Sequence, residues 1–221
     1  MKHIIFISCI ALTLTVSAQR KADIGVLLGG SYYLGDINPS KHFYSPSYTI
    51  GGIYRYNFNK RYSLRFNGLY TRLVGNDADF PERNNPLRPD VSFNTNVLDL
   101  VAQVEFNFQP YMTGNEKGEF SPYLSVGIGY TAVISSSASN SAVTPTGTTN
   151  FPFSAGVKYN VDRRLSVGLE WSFRKTFSDT LDGVEGSIEN GLLHNNDWYA
   201  FVGVFITYKF FKFAADCPAY N

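Results

Sequence analysis

Hydrophobic and polar residues alternate with a period of two along much of the chain, a pattern typical of β-strands with unlike faces. The clearest example runs from Asp197 to Phe211. Its apolar face comprises Trp198, Ala200, Val202, Val204, Ile206, Tyr208 and Phe210, and the other face includes Tyr199, Gly203, Thr207 and Lys209. Between Trp198 and Tyr208, a strand tilted by roughly 40° rises about 25 Å, which is the height of an outer-membrane apolar band.

Eight segments follow this rule and predict an all-β fold, an eight-stranded antiparallel transmembrane β-barrel of the outer-membrane type. The predicted strands are Asp23–Gly35, Ser47–Phe58, Arg61–Gly75, Asn94–Gln109, Phe120–Ser135, Asn150–Val161, Arg164–Ser178 and Asn196–Phe211. A soluble sandwich also alternates, so alternation alone does not separate the two folds. The second faces combine Gly, Ser, Arg and Glu, which favours the cramped polar lumen of a narrow barrel.

The connections between the predicted strands alternate in length. Residues 59–60, 110–119 and 162–163 form the shorter set, and residues 36–46, 76–93, 136–149 and 179–195 form the longer set. Outer-membrane barrels have short periplasmic turns and long outer loops. An even number of strands then predicts that both termini lie in the periplasm.

The N-terminus predicts export across the inner membrane. Lys2 and His3 precede an apolar run that ends in Val16-Ser17-Ala18, so residues 1–18 are interpreted as a cleaved signal peptide. About 13 apolar positions are too few for a membrane anchor, which needs roughly 20. Cys9 lies inside the run, which disfavours a lipoprotein. The expected mature protein is a barrel over residues 19–211 and a periplasmic tail over residues 212–221, located in the outer membrane of a Gram-negative cell.

Charged residues on the predicted inner face form a candidate lumen network. They are Arg55, Arg65, Asp99, Glu105, Lys158, Glu170, Arg174 and Lys209. An eight-stranded barrel is just wide enough for side chains to fill, and an isolated buried charge is costly. These charges are therefore expected to pair or to hold water. A structural ion-pair plug is the preferred interpretation, and a proton or ion relay is the alternative.

Other chemistries find little support in the composition. A net charge of +1 argues against a nucleic-acid partner. Removal of the signal peptide would leave Cys217 as the only cysteine, which excludes an intramolecular disulfide. His42 and His194 fall in predicted outer loops without the base–nucleophile arrangement of a hydrolase or acyltransferase. Asp36 and Asp197 could join them in a metal site, but ligand-type spacing is lacking. The chain is expected to be non-enzymatic and to hold no cofactor.

Two short motifs carry a resemblance to a known family. The segment Ser31–Ser40, SYYLGDINPS, contains Tyr33, Gly35, Asp36 and Asn38, and the C-terminal segment contains Cys217, Pro218 and Tyr220. Together they resemble the PorG-type outer-membrane barrels of the type IX secretion system. The resemblance extends to the length of the mature chain and its strand number.

The resemblance implies a non-enzymatic component of a protein-export machine. Such a component would associate with a large periplasmic ring, made of a lipoprotein and its partner protein, and tie it to the outer membrane. Outer-membrane lipids would surround the barrel, and Cys217, Pro218 and Tyr220 are hypothesised to contact the ring. A free-standing small barrel of the adhesin or membrane-integrity type is the alternative, and a lipid-modifying enzyme is a third class.

Overall fold

The computed structural model describes residues 22–34, 42–76, 92–114, 118–138, 147–177 and 198–209. The strands are β1 (Ala22–Leu34), β2 (Ser47–Asn57), β3 (Tyr62–Asn76), β4 (Ser92–Asn107), β5 (Phe120–Ala138), β6 (Gly147–Asn160), β7 (Leu165–Thr176) and β8 (Trp198–Tyr208). Within these ranges, no helix is long and apolar enough to cross a bilayer.

The eight strands form one closed antiparallel barrel in sequence order. Each strand pairs with its neighbours along the chain, and β1 pairs with β8 in a register that sets Gly29 opposite Gly203. Closure gives every strand two hydrogen-bonded neighbours, which a sheet in hydrocarbon requires. The predicted fold class and strand number are confirmed.

The strand boundaries differ from the predicted ones by a few residues. The largest extensions are in the hairpin of β5 and β6, where β5 continues to Ala138 and β6 begins at Gly147. The added residues of β5 are mostly serine, so they carry no apolar alternation. They join the sheet by backbone pairing with β4, beyond a register shift at Asn96/Val97.

The outward surface is apolar around the barrel, with aromatic residues toward both ends. The end that carries the β2–β3, β4–β5 and β6–β7 connections is called the short-turn end, and the opposite end is called the long-loop end. Exposed aromatics at the short-turn end are Phe58, Tyr62, Phe108, Phe120, Tyr159 and Tyr208, and those at the long-loop end include Tyr48, Phe151, Phe177 and Trp198. A band of this kind matches the aromatic girdles of outer-membrane barrels.

The inner face alternates with the outer one, but it is not polar throughout. In β3 every second residue from Ser63 onward is buried. The interior also holds an apolar cluster of Leu27, Ile53, Leu69, Tyr123, Phe201 and Phe205. The wall formed by β1, β2 and β8 is therefore partly apolar, whereas the sequence pattern had predicted a polar lumen. Charged and polar side chains share the interior with this cluster, and they include Asp23 of β1 and Arg55 of β2.

Inward glycines allow neighbouring strands to approach each other closely. A Cβ added at Gly25 or Gly127 would lie under 3.0 Å from the backbone of the neighbouring strand, at Ile206 or Ala102. Outward Gly52 has no atom within 4 Å of such a Cβ. The inward glycines are thus a steric requirement of tight curvature, as expected for glycine in a strongly bent sheet.

Part of the first long connection packs on the outside wall. Tyr32 lies on the outward face of β1 yet is buried, with ring contacts to His42 and Phe43 at 5.9 and 5.0 Å. Trp171 Nε1 donates a hydrogen bond to the Tyr32 hydroxyl at 3.0 Å. Phe43 has a φ of 62° and remains exposed. Residues 42–43 therefore form an external aromatic cluster with Tyr32 and Trp171 at the long-loop end.

The facing of β8 predicts how charge is tolerated at different depths. Val202 is outward near the middle of its strand, so Val202→Arg should destabilise the barrel in lipid vesicles by about 2 to 4 kcal/mol. Phe120→Arg, on the same outward face but in the short-turn girdle, should cost about 0 to 1 kcal/mol. Urea unfolding in vesicles measures both. Equal effects at the two positions would contradict the assignment of a membrane band.

Candidate functional site

The interior of the barrel gathers the charged side chains that the sequence pattern predicted. All eight, Arg55, Arg65, Asp99, Glu105, Lys158, Glu170, Arg174 and Lys209, are buried. Along the strands these charged residues alternate with apolar ones. The charged side chains therefore point into the barrel and the apolar side chains point outward. The charges group into three clusters along the barrel axis, referred to as the turn-side, middle and loop-side clusters.

The turn-side cluster is centred on Glu105. Arg55 Nη1 donates to Asp23 Oδ2 at 2.9 Å, and its Nε lies 3.2 Å from Glu105 Oε1. The Lys158 ammonium donates to the same Glu105 oxygen and to Asn107 Oδ1. Two acids and two cations thus neutralise one another, which is the condition for burying charge at low dielectric.

The middle cluster is a two-point ion pair between Arg65 and Glu170. Arg65 Nη1 and Nη2 donate to the two Glu170 oxygens at 2.5 and 3.1 Å. The Tyr123 hydroxyl donates to Glu170 Oε2 at 2.5 Å, and Gln103 Oε1 accepts from Arg65 Nη2 at 3.0 Å. Arg65 Nη1 also lies 3.5 Å from Glu105 Oε2, which joins the middle cluster to the turn-side cluster.

The loop-side cluster surrounds Asp99. Arg174 Nε donates to Asp99 Oδ2 at 2.9 Å. The other carboxylate oxygen accepts from Asn150 Nδ2 at 2.6 Å and from the Thr131 hydroxyl at 3.1 Å. The Thr131 and Tyr199 hydroxyls lie 3.0 Å apart. This carboxylate therefore has charged and neutral donors from three strands.

Aromatic rings complete the contacts of several buried cations. Lys158 Nζ lies 4.9 Å from the centre of the Tyr111 ring and 4.7 Å from that of Tyr123. The Arg55 and Arg174 guanidinium groups lie 5.5 and 5.0 Å from the rings of Phe205 and Phe201. Cation–π contacts gain strength when the cation is removed from water. The apolar wall thus helps to hold the charges.

The β4–β5 connection closes the short-turn end. Tyr111, Met112 and Thr113 are all buried. The Tyr111 hydroxyl donates to Asn160 Oδ1 at 2.7 Å and also meets the Ser166 hydroxyl. Residues 111–114 are called the cap. The sequence pattern had predicted only a connection here.

The cap is tied to the other turns and to the charges beneath it. Thr113 Oγ1 donates to Asp23 Oδ2 at 3.1 Å, which links the cap to the turn-side cluster. The Tyr111 backbone N–H donates to the Lys60 carbonyl at 2.8 Å. Gly114, with a φ of 74°, lies against the Arg163 carbonyl. The cap is therefore part of the packed interior.

Burial shifts two titrations at the short-turn end. It raises the pKa of Tyr111 to about 12, so this hydroxyl stays protonated and remains a donor. Burial lowers the pKa of Lys209 to about 8, an effect that the negative charge of Asp23 opposes. Burial therefore favours the neutral, protonated form of Tyr111 and disfavours the charged, protonated form of Lys209.

This arrangement favours a structural ion-pair network over a relay. Each carboxylate of the network accepts hydrogen bonds or ion pairs from two or more side chains. A relay would need an open route to both ends, but the cap covers the short-turn end. Among the described residues, no group of three or more His, Cys, Asp or Glu side chains is placed to hold a metal ion.

His42 lies outside the barrel, away from the charged interior. Its ring meets Tyr32 and Trp171, and its Nδ1 lies 3.4 Å from the Tyr32 hydroxyl. The surroundings of His42 are thus aromatic. The sequence pattern had disfavoured His42 as the general base of an enzyme, a role in which it would lie beside a nucleophile such as serine.

Strand parity could have found several residues that the sequence interpretation missed. Asp23, Gln103, Tyr123 and Asn150 lie on the inward positions of strands that were predicted. Gln103, Tyr123 and Asn150 are uncharged and Asp23 is the first residue of its predicted strand, so a pattern of inward charges did not include them. Tyr111 and Thr113 carry no such signal, since they lie in a connection.

Of the remaining predicted residues, only Tyr33 lies within the described part of the chain. Tyr33 is buried in β1. Its motif partners Gly35, Asp36 and Asn38 lie outside the described residues, as do Cys217, Pro218 and Tyr220 of the tail. The signal peptide, His194 and Asp197 also lie outside them.

Comparison with known proteins identifies the fold and a family. The family described as "Domain of unknown function (DUF6089)" matches residues 1–219. No curated protein matches the chain in sequence.

Several solved outer-membrane barrels are similar in structure. Neisserial surface protein A (NspA) has a TM-score of 0.54 at 12% identity, covering 86% of this chain and 97% of that one. OprG from Pseudomonas aeruginosa has a TM-score of 0.48 at 11% identity, with coverages of 87% and 98%. Ail, the attachment invasion locus protein of Yersinia pestis, has a TM-score of 0.43 at 13% identity, with coverages of 85% and 97%. At these identities the likeness concerns the fold alone.

The position of Glu105 predicts a large effect of removing its charge. Glu105→Gln leaves Arg55 and Lys158 without their shared carboxylate, so the free energy of unfolding in vesicles should fall by about 3 to 5 kcal/mol. Asp162→Asn removes an exposed carboxylate from a turn and should leave stability unchanged within error. A Glu105→Gln barrel as stable as the Asp162→Asn control would show that the network does not stabilise the fold.

Two glycines allow a matched test of the cap. Gly114 and Gly118 both have positive φ, so alanine costs about 1 to 2 kcal/mol at either position through backbone strain. Only at Gly114 would the added Cβ also clash with a backbone carbonyl, because the nearest atom at Gly118 is 4.0 Å away. Gly114→Ala should therefore destabilise more, by at least about 1 kcal/mol. Equal losses in urea unfolding would mean that the cap is not packed against the β6–β7 turn.

Proposed function

The chain belongs to the DUF6089 family, and we propose that it is a non-enzymatic outer-membrane barrel subunit of the type IX protein secretion machinery. In this role it anchors or assembles the periplasmic ring of the machine at the outer membrane. The single observation that carries a scaffold role is the filled and capped interior. A barrel without an open lumen acts through its surfaces.

The outer surface supports an outer-membrane location. Large apolar side chains cover the outward positions, and aromatic residues border them at both ends. A contiguous apolar surface of this extent is unfavourable in water, whereas a bilayer matches it. The fold resembles that of Gram-negative outer-membrane barrels.

The interior supports a non-enzymatic role. Its charges are engaged in ion pairs and hydrogen bonds, and its inner wall is partly apolar. A membrane-embedded hydrolase or acyltransferase needs a base beside a nucleophile at an accessible place. His42, which lies beside Tyr32 and Trp171, does not provide that pair.

The type IX assignment depends on the motif resemblance. Tyr33 is the described member of its motif, and it is buried where β1 reaches the long-loop end. The tail with Cys217, Pro218 and Tyr220 follows β8 in the sequence, and β8 ends at the opposite end of the barrel. If the short-turn end faces the periplasm, both termini and the tail are on the side where the ring lies, and the ring lipoprotein and its partner are the expected contacts.

The alternative is a free-standing small barrel of the adhesin or membrane-integrity type. One observation favours it, the external aromatic cluster at the long-loop end. Phe43 is 55% exposed there although its backbone has the uncommon positive φ. An exposed aromatic side chain held in a strained conformation is a feature of binding surfaces.

Affinity purification from the native outer membrane separates the two roles. An affinity tag placed within residues 139–146 leaves both termini unchanged, and detergent-solubilised membranes are analysed by mass spectrometry. The full chain should co-purify periplasmic ring proteins of the secretion machine. A barrel that purifies alone would support the free-standing role instead.

The same purification tests the tail. Deletion of residues 214–221 should leave a folded barrel, judged by heat-modifiable migration in a gel, because β8 ends at Tyr208. We expect this variant to lose the ring proteins and to impair cargo export. Wild-type recovery of the ring and wild-type export by the truncated protein would place the contact elsewhere on the barrel.

A further inference from the structure

Two turns at the short-turn end carry pairs of cations, of which Lys60, Arg61 and Arg163 are exposed and Arg164 is half-buried. Lys60 and Arg61 lie in the β2–β3 turn, and Arg163 and Arg164 lie in the β6–β7 turn. The ion pairs that join the described residues all lie inside the barrel, so these four side chains take part in none of them. Their positive charge therefore remains available to a ligand outside the barrel.

One arginine of each pair is held against the aromatic girdle. Arg61 Nη1 donates to the Phe108 carbonyl at 2.6 Å, and Arg164 Nη1 donates to the Tyr208 hydroxyl at 3.2 Å. Phe108 and Tyr208 are exposed girdle residues, and such aromatics lie at the level of lipid headgroups. A guanidinium has five N–H donors, so each arginine keeps donors for a second acceptor at this level.

The first pair stands on an ordered turn. Asn59 Oδ1 accepts hydrogen bonds from the backbone N–H groups of Arg61 and Tyr62 at 2.7 and 2.8 Å. The Lys60 carbonyl accepts from the cap residue Tyr111. Less conformational freedom is therefore lost when Lys60 and Arg61 bind a ligand.

We propose that these two turns are binding sites for the phosphate of anionic glycerophospholipid headgroups. Arginine matches phosphate geometry with its fork of donors, and lysine adds a compact charge. The turns are four strands apart in a barrel of eight, so the sites lie on opposite sides. This inference does not depend on a role in secretion.

The two sites differ in strength. Asp162 adjoins Arg163 in the second turn and its exposed carboxylate repels a phosphate, whereas the first turn contains no acid. Among the described residues, two outward cations toward the long-loop end have other partners. Arg72 donates to Asn94 Oδ1 at 2.9 Å, and Lys175 lies over the Trp198 ring. The Lys60–Arg61 pair is the stronger site.

Native mass spectrometry of the folded barrel in mixed micelles tests the proposal. Phosphatidylglycerol is titrated against phosphatidylcholine, for the wild type and for the double variants Lys60→Gln/Arg61→Gln and Arg163→Gln/Arg164→Gln. Each cation near an anionic surface contributes about a fivefold preference at low salt. The first double variant removes two such cations and should lower the affinity of its site for phosphatidylglycerol by up to about 25-fold, and the second should lower the affinity of its site less.

Three further arms decide the interpretation. The charge-preserving variant Lys60→Arg/Arg61→Lys should retain most of the preference, and heat-modifiable migration checks that every variant is folded. Competition by millimolar inorganic phosphate alone would reveal a site for free anions, and competition by an acidic peptide alone would reveal a protein-docking site. Either result, or unchanged lipid retention in both glutamine variants, would overturn the proposal.

Discussion

Charge neutralisation in a space too narrow for bulk water is the constraint on which the rest of this barrel depends. An eight-stranded barrel has room inside only for side chains, so a charge that points inward must meet its counter-charge on another strand. Arg65 and Glu170 do so from β3 and β7, and Arg174 and Asp99 do so from β7 and β4. Strands that are far apart in the sequence are thereby cross-linked through the lumen, in addition to the backbone ladder around the wall.

This constraint explains the unequal composition of the inner wall. Inward glycines such as Gly25 and Gly127 let adjacent strands approach one another, because a Cβ at either position would clash with the backbone of the neighbouring strand. The apolar cluster around Phe205 fills part of the inner wall and supplies ring faces to the cations, as in the contact with Arg55. An intact buried ion pair contributes little to the net stability of the fold. Removal of one partner is nevertheless strongly destabilising, because the remaining charge is buried without a counter-charge or solvent.

The sequence allowed the fold and the charges to be predicted because both follow from strand parity. Val202 and Glu170 are assigned to opposite faces by counting residues, and closure of eight strands follows from the apolar outer face. Contacts across the lumen could not be predicted in the same way, since parity says that Glu105 points inward but not that it meets Arg55 and Lys158. The cap escaped prediction for a further reason. Tyr111 lies in a connection, where no periodicity exists, and its burial depends on space that only the assembled barrel creates.

The two ends of the barrel are stabilised by different contacts. At the short-turn end, the cap joins the β2–β3 and β6–β7 turns to the charges beneath, through contacts such as Thr113 with Asp23. A surface made in this way is fixed in shape, because its turns cannot move without disturbing buried ion pairs. At the long-loop end, the external cluster of Tyr32, His42, Phe43 and Trp171 is attached to the wall rather than to the lumen. The proposed contact with a periplasmic partner would therefore fall on the more rigid of the two ends, where the interior itself holds the surface in place.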